Sequence, residues 1–155
     1  RQQYGDNFIV AVPTNAYGVG DHFGSKENHV IPALIERFHQ AKCNCLPFVE
    51  LWGSGTPTRE FIYVDDLAET FVLCAIKQKE ESIILNVGMQ EAYTNLSIAN
   101  TVNSVFENTN SIDYQEDIDE NIDSSFMDTH RYVSFLGFKP KTMKEALYEL
   151  KNRID

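Results

Sequence analysis

Along the 155 residues, apolar positions recur with two different periods, and the switches between them outline the elements. Phe8-Ile9-Val10-Ala11-Val12 is a nearly unbroken, β-branched run that stops at Pro13, the pattern of a strand buried on both faces of a parallel sheet. Residues 14–17 then fall just beyond its carboxyl end, where open α/β sheets bind ligands. After Asn28, placed to cap, the period becomes helical. Val30, Ile31, Leu34 and Phe38 form a core stripe, Pro32 is tolerable in the first turn, and Arg37 sits at the stripe's edge. At about 1.5 Å per residue, Arg37 lies roughly 12 Å along the helix axis from His29 in the first turn.

Val49-Glu50-Leu51-Trp52 and Glu60-Phe61-Ile62-Tyr63-Val64 read as strands, separated by a Gly53-Ser54-Gly55 turn. Asp65-Asp66 opens a helix, its carboxylates suited to capping, with Leu67, Ala68, Phe71, Val72 and Ala75 inward. Ile83-Ile84-Leu85-Asn86-Val87-Gly88 is another buried strand. Asn95 caps a helix carrying Leu96, Ala99, Val102 and Phe106, and a short strand is expected near Ile112-Asp113-Tyr114. Residues 115–125 lack apolar periodicity and read as an acidic surface loop. Asp128 restarts a short helix ending at Leu136-Gly137-Phe138, and Thr142-Met143-Lys144-Glu145 is a capping box for a last helix with Met143, Ala146, Leu147, Leu150 and Ile154 inward. Strands alternating with helices predict an α/β fold around a parallel sheet, in a single unit with no linker.

With 43% hydrophobic residues, ten Phe and seven Tyr, the chain can bury a core. A formal charge of −10 argues against nucleic acid or an anionic membrane as the main partner. Between Glu80 and Met127 there is no Lys or Arg, so an anionic ligand must be held by the first 79 residues or by the C-terminal tail. No apolar run approaches the ~20 residues of a membrane span, and the N-terminus lacks a signal core. Cys43, Cys45 and Cys74 are an odd count that favours reduced thiols in the cytoplasm. Cys43-Asn44-Cys45 lacks metal-ligand spacing, and no metal site is expected.

The candidate chemistry concentrates in the first 60 residues. His29 suits a general acid because imidazole titrates near neutrality, or it is a capping or surface histidine. Arg37 and Arg59 suit bidentate phosphate contacts, and Trp52 suits packing beside a base or sugar. Their duller readings are an ion-pair partner for Arg37 and a core position for Trp52. A Gly-rich dinucleotide turn leading into a helix is missing, as is a Tyr-x-x-x-Lys pair.

Four motifs carry a family likeness: Pro13-Thr14-Asn15-Ala16-Tyr17-Gly18, Asn28-His29-Val30-Ile31-Pro32-Ala33-Leu34, Thr56-Pro57-Thr58-Arg59-Glu60-Phe61 and Tyr63-Val64-Asp65-Asp66. Through them the chain resembles the C-terminal half of the GDP-L-fucose synthase family, NADPH-dependent epimerase/reductases among the extended short-chain dehydrogenases. The resemblance is densest from Tyr4 to Arg59 and fades beyond Ala68. It implies the last part of a Rossmann-like parallel sheet with a small α/β substrate-binding lobe, the cofactor-binding half being absent from residues 1–155. The implied cofactor is NADP, and the implied substrate is a GDP-4-keto-6-deoxy sugar, epimerised and then reduced by a cytoplasmic homodimer.

By the same resemblance Pro13, Thr14, Asn15 and Ala16 line the cofactor pocket, and His29 is the acid of epimerisation. Asn15, His29, Val30, Arg37, Trp52 and Arg59 hold the substrate. Two departures stand out. Gly24-Ser25 replaces a His-Pro, and the segment ending at Ser125 lacks the family's Arg-Lys, one diphosphate contact fewer. Another nucleotide-sugar epimerase or dehydratase, or a non-catalytic binding module, remains open at this point.

Overall fold

In the computed structural model the described residues are 3–24, 28–77, 83–115 and 124–154. Among the described residues seven strands and five helices follow one another as β1 (Ile9–Pro13), β2 (Asn15–Tyr17), α1 (Val30–Cys43), β3 (Phe48–Trp52), β4 (Thr58–Tyr63), α2 (Val64–Lys77), β5 (Ile83–Val87), β6 (Ala92–Thr94), α3 (Asn95–Val105), β7 (Ser111–Gln115), α4 (His130–Leu136) and α5 (Met143–Ile154). The pairs β1–β5, β2–β4 and β3–β7 are parallel, and β6 adds antiparallel to β4. Parallel strands joined through helices are the expected α/β arrangement.

β4 divides the interior. Its side chains alternate, so Phe61 and Tyr63 enter one apolar cluster with Tyr17, α1, α3 and α5, while Ile62 enters a second with Leu85, Val87, Cys74, Tyr132 and Leu136. The acidic loop expected over residues 115–125 lies outside the described residues from 116 to 123. At its exit, the Ser125 amide donates to the Thr58 carbonyl at 3.0 Å.

Several expectations are corrected. β1 is not covered on both faces: Ile9 and Ala11 pack on the second cluster, while Val10 and Val12 are exposed. Ile84 on β5 is exposed beside them, so this parallel pair has a bare apolar face. On α2, Phe71 and Val72 turn outward, and Thr70 and Cys74 are buried instead. The two aspartates that open α2 do not cap it. The buried Asp66 carboxylate accepts from the Lys141 amide and Nζ, both at 2.7 Å, and Asp65 pairs with Arg153 at 2.7 Å.

On α1 the buried stripe is Ile31, Leu34, Ile35, Phe38 and Ala41, which leaves Val30 on the exposed rim with Arg37 half-buried beside it. His29 occupies the N-cap, its side chain making no capping hydrogen bond to the helix, while Asn28 reaches Glu36 at 2.9 Å. Thr94, not Asn95, caps α3, its hydroxyl accepting from the Ser97 amide at 3.0 Å. Leu96 is exposed and Ile98 buried, so the inward face is rotated from the expected one, and Ile154 is exposed at the end of α5. The Thr142–Glu145 capping box is present, with the Thr142 amide donating to Oε2 of Glu145 at 2.8 Å.

Candidate functional site

A cavity of about 820 Å³ opens between α1, β3, β7 and the start of α3. Val30, Ala33, Leu34 and Arg37 supply one wall, Leu51 and Trp52 another, and Asn95 and Tyr114 close it. Alternation along β3 buries Val49 and Leu51 and turns Trp52 outward, 63% exposed, which removes the core reading of the indole. The guanidinium carbon of Arg37 stands 4.9 Å from the Trp52 ring centroid, and its Nη1 donates to the Glu50 carbonyl at 3.4 Å. Among the described residues Arg37 makes no ion pair. A cation stacked on an indole keeps its remaining N–H groups available to an anion.

Tyr114 packs with its hydroxyl buried and unpartnered, and burial raises its pKa from the ordinary phenol value. A β-carbon on Gly55, at φ 74°, would stand 2.6 Å from that ring, so the turn after β3 needs a glycine for Tyr114 to close the cavity. The Asn95 side-chain oxygen is likewise buried without a partner. Neither Asn95 nor Tyr114 was legible as a site residue, because only the β3–β7 pairing brings Tyr114 opposite Leu51.

His29 does not line this cavity. It stands at the head of α1 with its side chain 75% exposed, and its Nδ1 lies 3.5 Å from Oδ1 of Asp21, whose side chain is only 13% exposed. Nothing in the periodicity singles out Asp21, which lies in a loop.

A second, smaller cavity of about 230 Å³ sits beyond the carboxyl end of β1, lined by Pro13, Thr14, Asn15, Glu60, Ser125, Phe126 and Met127. Ala16, the fourth residue expected there, is exposed and outside its lining. The Thr14 amide donates to the Val87 carbonyl at 3.0 Å, and its hydroxyl is buried without a partner. Asn15 donates from Nδ2 to the Glu60 carbonyl at 3.2 Å. Glu60, 2% exposed, is the residue that organises this end. Its carboxylate accepts from the Gln90 amide at 3.0 Å and the Met127 amide at 3.2 Å, joining β4, the turn after β5 and the segment before α4.

Arg59 lines neither cavity. It is half-buried, donates to the Thr58 carbonyl at 2.8 Å, and by alternation shares the β4 face of Phe61 and Tyr63, the side on which α1 packs. Val30, Arg37 and Trp52 are thus brought together, Asn15 joins Pro13 and Thr14 in the second cavity, and His29 stands at the helix head between loop and solvent. Among the described residues no group of three or more His, Cys, Asp or Glu side chains could hold a metal ion, and no helix is long and apolar enough to cross a membrane.

Parallel strands with helical crossovers, and cavities at the carboxyl ends of β1 and β3, define a Rossmann-like α/β unit. The sequence pattern of the NAD dependent epimerase/dehydratase family matches residues 1–88, and the chain belongs to that family. It is 37% identical to the GDP-L-fucose synthase of Sinorhizobium fredii over 145 residues, 94% of this chain and 46% of that protein. Over 68 residues, 44% of this chain and 21% of the relative, it is 52% identical to the GDP-L-fucose synthase of Escherichia coli strain K12. The crystal structure of a GDP-L-fucose synthetase from Naegleria fowleri superposes with a TM-score of 0.82 at 22% identity, covering 94% of this chain and 44% of that one. The chain spans about half the length of the curated relatives it matches over nearly all its residues.

Proposed function

We propose that this chain is the substrate-side half of an NADP-dependent enzyme that epimerises and then reduces a GDP-linked 4-keto-6-deoxy sugar, the activity of a GDP-L-fucose synthase. The carrying observation is the cavity in which Arg37, stacked on Trp52, faces apolar walls from Val30 and Leu51. An anion-binding group beside flat apolar surface suits a nucleoside diphosphate better than a free sugar. Similarity to relatives named GDP-L-fucose synthase over most of the chain supports the same ligand.

In this reading Arg37 and Arg59 hold the diphosphate, Trp52 and Val30 pack on the nucleoside or sugar, and Asn15 orients the reacting end. His29 delivers the proton in epimerisation. The unpartnered Thr14 hydroxyl in a small cavity at a strand's carboxyl end fits a polar cofactor group. Pro13, Thr14, Asn15 and Ala16 would hold the nicotinamide end of NADP, which supplies the hydride when bound. Its pyrophosphate needs a Gly-rich turn from the other half.

The bare face of Val10, Val12 and Ile84 supports docking of that half, as does β1 pairing with β5 alone among the described residues. Free cysteines, two of them exposed, suit the cytoplasm, and the family resemblance extends to a homodimer. Calorimetric titration of the intact protein with GDP, and turnover of GDP-4-keto-6-deoxymannose with NADPH, test the reading. GDP binding without turnover would favour a binding module. No GDP binding would reject the assignment.

A further inference from the structure

We propose that Asp21 is the positioning residue of His29, holding the imidazole through Nδ1 so that Nε2 is the nitrogen that transfers the proton. The inference rests on the reading of His29 as the acid of epimerisation. Three observations carry it. First, Asp21 is anchored from behind. Its amide donates to the Gly18 carbonyl at 3.2 Å, and a β-carbon on Gly18, at φ 147°, would stand 2.5 Å from a Val64 methyl carbon. The turn is therefore pressed onto the β4–α2 junction, where Tyr63 is fully buried.

Second, the carboxylate is underused. Oδ1 accepts from the His22 amide at 3.0 Å and faces His29 Nδ1 at 3.5 Å, while Oδ2 is buried with no partner. A carboxylate only 13% exposed needs hydrogen-bond donors for its oxygens, and the His29 ring nitrogen is the side-chain donor that faces it. Third, the carboxylate that α1 itself carries is committed elsewhere. Glu36 takes the Gly24 amide, Asn28 Nδ2 and Gln40 Nε2, at 2.9–3.0 Å. Among the described residues Asp21 is the carboxylate paired with His29.

An acceptor on one ring nitrogen fixes the tautomer and leaves the other to do chemistry. Before substrate is bound such contacts are commonly long and tighten in the complex. The step balances as a simple transfer. The Nε2–H bond of the imidazolium breaks, its electron pair stays on Nε2, and the substrate carbanion's pair forms the new C–H bond. The ring ends neutral, with its remaining proton on Nδ1 against Asp21.

The test uses the intact enzyme. Nitrogen-15 NMR of neutral His29 is expected to show the Nδ1–H form, and the Nε2–H form would overturn the inference. Asp21→Asn should lower kcat for epimerisation about 10- to 100-fold with KM for the GDP-sugar changed less than about twofold, and Asp21→Glu should recover part of the loss. In a His29→Gln background, Asp21→Asn should cost nothing further. A purely structural Asp21 would add its loss there and raise KM, and wild-type kcat in Asp21→Asn would equally refute the role. Undiminished turnover in His29→Gln alone would instead remove the reading of His29 on which this rests.

Discussion

Arg37 and Trp52 meet across two elements, the guanidinium carbon 4.9 Å from the indole centroid, with one arginine nitrogen tied to the Glu50 carbonyl of the strand that carries the tryptophan. Helix α1 and strand β3 thereby fix a flat cation before any ligand arrives. Pre-organising the group reduces the entropy lost on binding.

Arg37→Ala should weaken GDP binding by about 10- to 100-fold, since a charged hydrogen bond contributes roughly 1.5–3 kcal/mol. Arg37→Lys should recover only part of it, because an ammonium cannot make the bidentate contact. Trp52→Ala should weaken binding less, by about 0.5–2 kcal/mol of lost stacking. Isothermal titration with GDP ranks the three, and equal affinities across the set would remove the cavity as the nucleotide site.

Arg59→Ala is expected to weaken GDP binding by about one order of magnitude or more. Arg59 lines neither cavity, so the measurement has a sharp alternative. Unchanged affinity with lowered thermal stability would assign Arg59 to holding β4 rather than substrate.

Glu60 ties Gln90 and Met127 to β4 from a fully buried position. Glu60→Ala leaves two amides without their acceptor and should cost about 2–4 kcal/mol, read by urea unfolding. Gly88→Ala should act on the same joint, because its β-carbon would collide with the Glu60 carboxylate and stand 2.9 Å from the Thr14 methyl carbon. A Gly88→Ala variant as stable as wild type would show that the joint yields freely.

Lys141 is held by Asp66, whose hydrogen bond is the largest influence raising the lysine pKa above its ordinary value. A raised folded-state pKa means stability present below the unfolded value, about 10.4, and lost as pH rises through the folded one. Thermal melts should therefore show an alkaline loss above about pH 10.4 that is diminished in Lys141→Met. Asp66→Asn should destabilise at neutral pH by roughly 1.5–3 kcal/mol, since the buried side chain also accepts from the Lys141 amide.

What the sequence by itself determined is the order of elements and the local chemistry of their ends. β1 after Phe8, the turn at Gly53 and Gly55, Gly137 closing α4 at φ 63° and the Thr142–Glu145 box follow from propensities that act within a few residues. Inward faces were less legible. Val10, Val12, Phe71 and Val72 are apolar yet exposed here, because hydrophobicity records that a residue is to be covered but not by which layer. The tertiary structure alone decided that Asp66 would reach Lys141 rather than its own helix, that Tyr114 would close the Arg37 cavity, and that Asp21 would stand against His29. Those contacts join segments that no local period relates. Chain crossover and sheet register bring the first two together, both set by burial of the two clusters that β4 divides, and the turn at Gly18 carries Asp21 to the head of α1.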